Sequence, residues 1–253
     1  MIALLRSEFL RLRSRRVLLF LTGLGVVGIL VAMTIAAFKS HPGTPQQLEL
    51  FGLPDILKGI SFILIVFGLV IGASSVGADW QAGSMATLLT WEPRRTRVFV
   101  ARVVVVVLTV FVVAVALQAL LAGLFLLVAD LRGTTEFASG VGKASEGAIL
   151  RVGAMASIGS VLGMSIAMLG RSSTAALGAV FVYLAVVENL LRGLYPNITR
   201  WTFAVSAVVF VDGKPAILFN QVLTFGRALL TLGVYLALLL IAGLTSFRVR
   251  DVD

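Results

Sequence analysis

Residues 103–128 read VVVVVLTVFVVAVALQALLAGLFLLV, twenty-six positions in a row without a charged side chain. The hydrocarbon core of a bilayer is about 30 Å thick, and roughly 20 apolar residues in a helix cross it. This stretch is long enough to do so. Five further charge-free runs of comparable length occupy 17–38, 60–78, 152–169, 172–187 and 228–247. None of the six contains Asp, Glu, Lys, Arg or His.

The composition of the whole chain agrees with that reading. Of 253 residues only 13% are charged, 59% are hydrophobic and the mean hydropathy is +1.05. Soluble domains are about a quarter charged, so too little polar surface exists here to coat a water-soluble globule, and the same figures exclude intrinsic disorder. The expected fold is all-α: one polytopic domain over 1–253 with six transmembrane helices, an N-terminal interfacial helix and a re-entrant apolar segment before the last span.

Several local features refine this layout. The fourth and fifth runs are separated by Gly170 and Arg171 alone, but Ser172, Ser173 and Thr174 are good helix N-caps, which predicts a tight turn between two helices. The fifth run is short and is expected to borrow Leu190 and Leu191 beyond Glu188. The apolar stretch 201–211 cannot span, which points to a re-entrant segment within an outer region of about 194–221. The first run is longer than the roughly 7–15 residues of a signal-peptide core and follows five Arg, so it reads as a retained span. Ahead of it, in 1–16, Ile2, Leu5, Phe9 and Leu12 share one helical face flanked by Arg6, Arg11, Arg13 and Arg15. Such a helix lies along a leaflet with its arginines among lipid phosphates.

The chain carries 21 Lys and Arg against 12 Asp and Glu, a formal charge of +9. If both termini face the cytoplasm, the inner segments hold 12 basic residues in 48 positions and the outer segments 9 in 84. The positive-inside rule therefore places both ends in the cytoplasm. The excess charge is explained by topology, and no nucleic-acid partner is needed.

The runs also lack the intramembrane carboxylates and proline breaks that ion-coupled transporters usually place at the midplane, which weighs against secondary transport. With no Cys and a single His, His41 in an outer loop, neither thiol chemistry nor a histidine metal site is available. Residues 140–145, GVGKAS, fail as a phosphate-binding loop, because Phe137 replaces the first glycine and Ala144 the Ser or Thr after the lysine. No catalytic, metal-binding or cofactor-binding residue is expected. Gln118 and Tyr183 are polar groups at depth, suited either to substrate contact or to helix–helix hydrogen bonds. Gly68 with Gly72, and Gly159 with Gly163 and Ala167, are spaced for close helix packing.

The segment 79–102 carries more than topology. Trp80, Met85, Leu88, Leu89 and Trp91 are large apolar groups where a simple connector would be polar. A partner protein, the membrane surface or the chain's own helices could cover them. Glu92-Pro93 closes any helix there, because proline disfavours helix at the preceding residue. Arg94, Arg95 and Arg97 then anchor the third span at the phosphates.

The order Asp79, Gly83-Ser84, Leu88-Leu89, Pro93 and Arg94-Arg95 resembles the cytoplasmic loop after the second span of type-2 ATP-binding-cassette (ABC) exporter permeases. Asp79, Ser84 and Arg102 stand where that family usually has Glu, Thr and Lys. The layout is similar over the whole chain, including an amphipathic N-terminal helix with a Glu, here Glu8. The resemblance implies a non-catalytic permease subunit in a bacterial cell membrane, exporting a hydrophobic or amphipathic substrate. It implies pairing with a second copy or a paralogue on separate ATPase subunits that hold the ATP and Mg. Trp80, Met85, Leu88 and Leu89 would form the ATPase contact, with Asp79 as a salt-bridge or cap group. Two other classes stay open on the residues alone: a membrane scaffold that recruits a cytoplasmic partner, and an ion-coupled secondary transporter.

Overall fold

The computed structural model describes residues 2–39, 52–85, 90, 94–131, 140–218 and 221–249. In chain order the helices are α1 (Ile2–Arg13), α2 (Arg16–Lys39), α3 (Leu53–Gly59), α4 (Ser61–Gln81), α5 (Arg95–Leu131), α6 (Val141–Gly170), α7 (Ser173–Leu194), α8 (Phe203–Asp212) and α9 (Phe225–Val249). Among the described residues, six units are long and apolar enough to cross a membrane: α2, the α3–α4 pair over Leu53–Gln81, α5, α6, α7 and α9. Large side chains such as Phe20, Phe38, Phe62 and Phe181 stand on the outside of the bundle. An apolar exterior of this kind marks a membrane-embedded protein.

The bundle is organised around α6, whose most apolar window is 78% buried against 11% for α2. In lipid the hydrophobic effect does not drive helix against helix, so close packing has to hold the pair together. On α4 and α6 the two glycine stripes meet. A Cβ on Gly68 would stand on the Ala156 carbonyl, and one on Gly72 on the backbone of Ser160. In return, Gly159 faces the Ile65 carbonyl and Gly163 that of Leu69. The contacts advance together along both chains, so α4 and α6 run parallel, as spans two and four must. Ser157 adds a tie to α5, its Oγ donating to the Val107 carbonyl at 3.2 Å.

The turn between α6 and α7 forms at Arg171, in the left-handed region at φ 53°, and Ser172 caps α7 by accepting from the Ala175 amide at 3.3 Å. The fifth span, α7, runs past the charge-free segment to Leu194, through a π turn at Tyr183–Val187. Glu188 and Arg192 therefore belong to that helix.

α8 is the apolar stretch that is too short to span: ten residues rise about 15 Å. It follows a 3-10 segment, Pro196–Trp201, and precedes an antiparallel pair, Ala216–Leu218 with Gln221–Leu223. The all-helical expectation thus needs one small correction, a hairpin leading into α9.

Ends of helices far apart in the chain come together at one end of the bundle. The Arg15 side chain reaches the carbonyls of Ser74 and Ser75, and Arg95 donates to the carbonyls of Phe247 and Arg248. The first and last helices, the close of α4 and the start of α5 therefore share that end.

Candidate functional site

At that end, five charged side chains, four from three helices and Arg15 from the turn between α1 and α2, are packed together. Glu8 on α1, Asp79 at the close of α4 and Arg102 two turns into α5 are all buried. Arg102 bridges the two carboxylates, with Nε 3.1 Å from Glu8 Oε2 and Nη2 2.9 Å from Asp79 Oδ2. Arg11 reaches both as well, Asp79 at 3.1 Å and Glu8 at 3.4 Å, and Arg15 pairs with Asp79 Oδ1. Three guanidiniums against two carboxylates leave the cluster with one net positive charge.

Burying an ion is costly, and only a partner in good geometry offsets that cost. Here each carboxylate has at least two guanidinium partners. Asp79 in particular collects three arginines and its backbone carbonyl accepts from Ser84 Oγ at 3.3 Å. The cluster also holds the start of the following segment. Met85 is 1% exposed, and its sulfur lies 3.9 Å from Arg102 Nη1. Gly83, at φ 65°, makes the reversal between α4 and Met85.

Among the predicted interfacial residues, Leu5 and Leu12 pack on the bundle core, whereas Phe9 is exposed on the other side of α1. Ile2 begins the helix. The expectation that the arginines of 1–16 lie among lipid phosphates needs correcting: Arg11 and Arg15 turn inward to Asp79, while Arg6 and Arg13 remain exposed. The paired acid Glu8 faces inward between them. Arg95, assigned to lipid phosphates, caps the C-terminal end of α9 instead, and Arg248 returns the contact by donating to Thr96 Oγ1 at 2.9 Å. Arg94 begins the next helical stretch, and its carbonyl accepts from Arg97.

In segment 79–102, Trp80 is half-buried beneath the Arg171 guanidinium, 4.7 Å from the ring centroid. Trp80 and Met85 are therefore covered by this chain. Leu88, Leu89, Trp91, Glu92 and Pro93 lie outside the described residues, as do His41 and Phe137.

Of the two polar groups at depth, Gln118 donates to the Leu57 carbonyl at 3.0 Å, tying α5 to α3. The Tyr183 hydroxyl lies 2.6 Å from that of Tyr235 on α9, and the Tyr235 hydroxyl donates to the Trp201 carbonyl at 3.3 Å. Tyr183 also lines an apolar cavity of about 330 Å³ among α4, α6, α7 and α9.

A second pair of charges at the opposite end, Glu188 buried and Arg151 half-buried, escaped the sequence reading. Glu188, 0% exposed, accepts from the amides of Phe203 at 2.6 Å and Ala204 at 3.1 Å, the first two residues of α8. At the other end of α8, Arg151 Nε donates to the Val211 carbonyl at 3.0 Å. Gly213, at φ 68°, makes the turn there, and a side chain on it would collide with the Arg151 guanidinium. A carboxylate at the N-terminus and a cation at the C-terminus both complement the helix dipole. The signal available in the sequence was Glu188 itself, an acid between two apolar segments.

The cluster at the first end can transmit force among three helices, and the clamp at the second immobilises a short one. Neither offers a nucleophile, a general base beside one, or a metal-ligand set among the described residues. A comparison with protein-family models finds no match to this chain, and a comparison with curated proteins finds no relative.

Proposed function

We propose that the chain is the permease subunit of a type-2 ABC exporter, moving a hydrophobic or amphipathic substrate outward with ATP hydrolysed on a separate subunit. The observation that carries this reading is the buried ion-pair cluster. It joins α1, the close of α4 and the opening of α5 directly beside segment 79–102, the segment that resembles a coupling loop. A displacement of that loop reaches Asp79 and Arg102 within two turns of helix and passes to three helices together. A partner that closes on ATP supplies the energy, so the apolar helices need no ion-coupling charge at their centres.

In this reading the cluster lies on the cytoplasmic side with both chain termini, and α8 enters from the outer face as the re-entrant segment. The ATPase contact falls on Leu88 and Leu89. Trp80 and Met85 hold the loop to the bundle, and Asp79 serves the internal ion pairs. A second copy or a paralogue completes the permease. ATP and Mg belong to the partner, and this chain performs no catalysis.

The test is the double substitution Leu88→Glu and Leu89→Glu in the membrane complex. The expected result is loss of the ATPase on purification in detergent, or ATP turnover that no longer supports transport, with the chain still inserted. A normal complex with normal transport would refute the assignment. A partner that stays bound while no substrate moves in either form of the protein would identify a scaffold, and transport that collapses with an ion gradient while ATP remains would identify an ion-coupled carrier.

A further inference from the structure

A second apolar cavity, of about 440 Å³, opens between α2 and α4 with α5 as its floor. That volume lies within the usual range for small-molecule pockets, about 300–1,000 Å³. Its mouth is on the bilayer side: Leu24, Gly28 and Ala32 of α2 and Ile63 of α4 line it and are exposed. Only 11% of the most apolar window of α2 is buried, so hydrocarbon and not water meets this opening. The space is built into the bundle. At one end Met33 of α2 packs with Leu53, Leu57, Leu121 and Phe125, and at the other Leu18 joins the main core. Between those anchors α2 presents Gly25 and Gly28, and a Cβ on Gly28 would meet no atom within 4 Å.

One polar side chain stands at the floor. Gln118 of α5 lines the cavity and is 1% exposed. Its Nε2 donates to the Leu57 carbonyl at 3.0 Å, and a carbonyl only accepts, so the orientation of the amide is fixed. Its Oε1 has no hydrogen-bond partner among the described residues. Buried side-chain acceptors are nearly always satisfied, so this one calls for a donor from outside the chain. The height of the group in the bilayer follows from its neighbours. Leu57 precedes Lys58, which pairs with Asp55 and Asp212. Ions are costly in hydrocarbon, so these pairs mark the level of the lipid headgroups, and Gln118 lies just inside it. From there the cavity leads along α2 toward Leu24 and Phe67.

We infer that this cavity binds a single-chain amphiphile whose polar end carries a hydroxyl or N–H donor, with the donor on Gln118 Oε1 and the chain along the glycines of α2. The donor follows from the unpartnered acceptor, and the chain from the apolar walls and the opening to hydrocarbon. A transmembrane helix, about 10–12 Å across with its side chains, is too wide for the space, whereas one hydrocarbon chain enters it. The inference concerns binding and stands apart from the exporter reading, because its test requires neither ATP nor a partner.

The test uses purified full-length protein in detergent with a hexadecanol that carries a photoactivatable diazirine in mid-chain. Its 1-fluoro analogue, nearly the same size, is the donor-free control, and mass spectrometry locates the labelled peptides. The expected result is labelling of α2, α4 or α5 residues that line the cavity, half-saturating at about tenfold lower concentration for the alcohol, the range of one hydrogen bond. Gln118→Met should bring the alcohol to the level of the fluoride. Gly28→Phe fills the cavity from an open helix position and should abolish both signals, whereas Gly23→Phe, equally open and outside the lining, should leave them unchanged. If Gln118→Met does not fold, the wild-type ratio of alcohol to fluoride and the two glycine variants decide the matter. Equal labelling by alcohol and fluoride in the wild type, or labelling that survives Gly28→Phe, would overturn the inference. So would a crosslink between two chains through Gly28→Cys with no labelling by either probe, which would assign the groove to a second copy.

Discussion

The two ends of the bundle bury charge in different ways. At one end Glu8, Asp79, Arg11, Arg15 and Arg102 are paired side chain to side chain across three helices and the turn after α1. At the other, Glu188 and Arg151 hold the backbone at the two termini of α8, with Arg192 3.7 Å from Glu188 on the same helix, α7. A side-chain cluster has several ways to arrange its pairs, because Arg11 and Arg102 each reach both carboxylates. A carboxylate on two backbone amides has one. The first arrangement lets a guanidinium exchange carboxylates within the cluster, and the second fixes where α8 begins and ends.

Removing the bridge at the first end should produce the largest effect. Arg102→Met leaves Glu8 and Asp79 buried with fewer partners, and breaking a buried ion pair on one side costs about 3–5 kcal/mol. Thermal unfolding in detergent would show it as a lowered midpoint. Adding Glu8→Gln should recover part of the loss, since the second change removes an uncompensated charge. Two losses that simply add would mean the pair is not coupled.

The other end should respond locally. Glu188→Ala withdraws the acceptor from one buried and one part-buried amide, which costs about 1–3 kcal/mol. Hydrogen exchange should then rise in 203–212 and not in α1, and Glu188→Gln should restore part of the protection. If exchange rose equally in α1, the two ends would not be independent. Arg151→Ala should act in the same place with a smaller effect, about 0.3–1 kcal/mol as the share of a cation at a helix C-terminus. The weakest change should be Arg11→Ala. Its guanidinium is one-third exposed and screened by solvent, so the loss should stay within about 1 kcal/mol even though it touches both carboxylates.

The six apolar helices were legible because lipid imposes a length on them, and a charge-free run of that length has few other readings. The Ser172 cap was legible for a similar reason: it acts on an amide three residues away. The glycine stripes could be seen as packing faces, but not as partners of each other. The charged cluster was legible only in fragments. Glu8, Asp79 and Arg102 were each noticed, and nothing in their spacing says that residues of the first helix meet partners 68 to 94 positions on. For the same reason Arg11 and Arg15 read as a lipid-facing fringe until Asp79 supplied a closer partner. The bound state of Trp80 and Met85 was one of three coverings that their apolarity allowed.

Taken alone, the sequence determined the number of apolar membrane-length helices, the tight turn at Arg171–Ser172 and that the chain belongs in a membrane. Those properties depend on runs of adjacent residues and on contacts within a turn or two. Only the tertiary structure decided which charges are buried and against what, and that α8 is clamped at both termini. An ion pair is a property of distance in space, and in a helical bundle the helices that supply its two members are brought together by packing that no short stretch of sequence encodes.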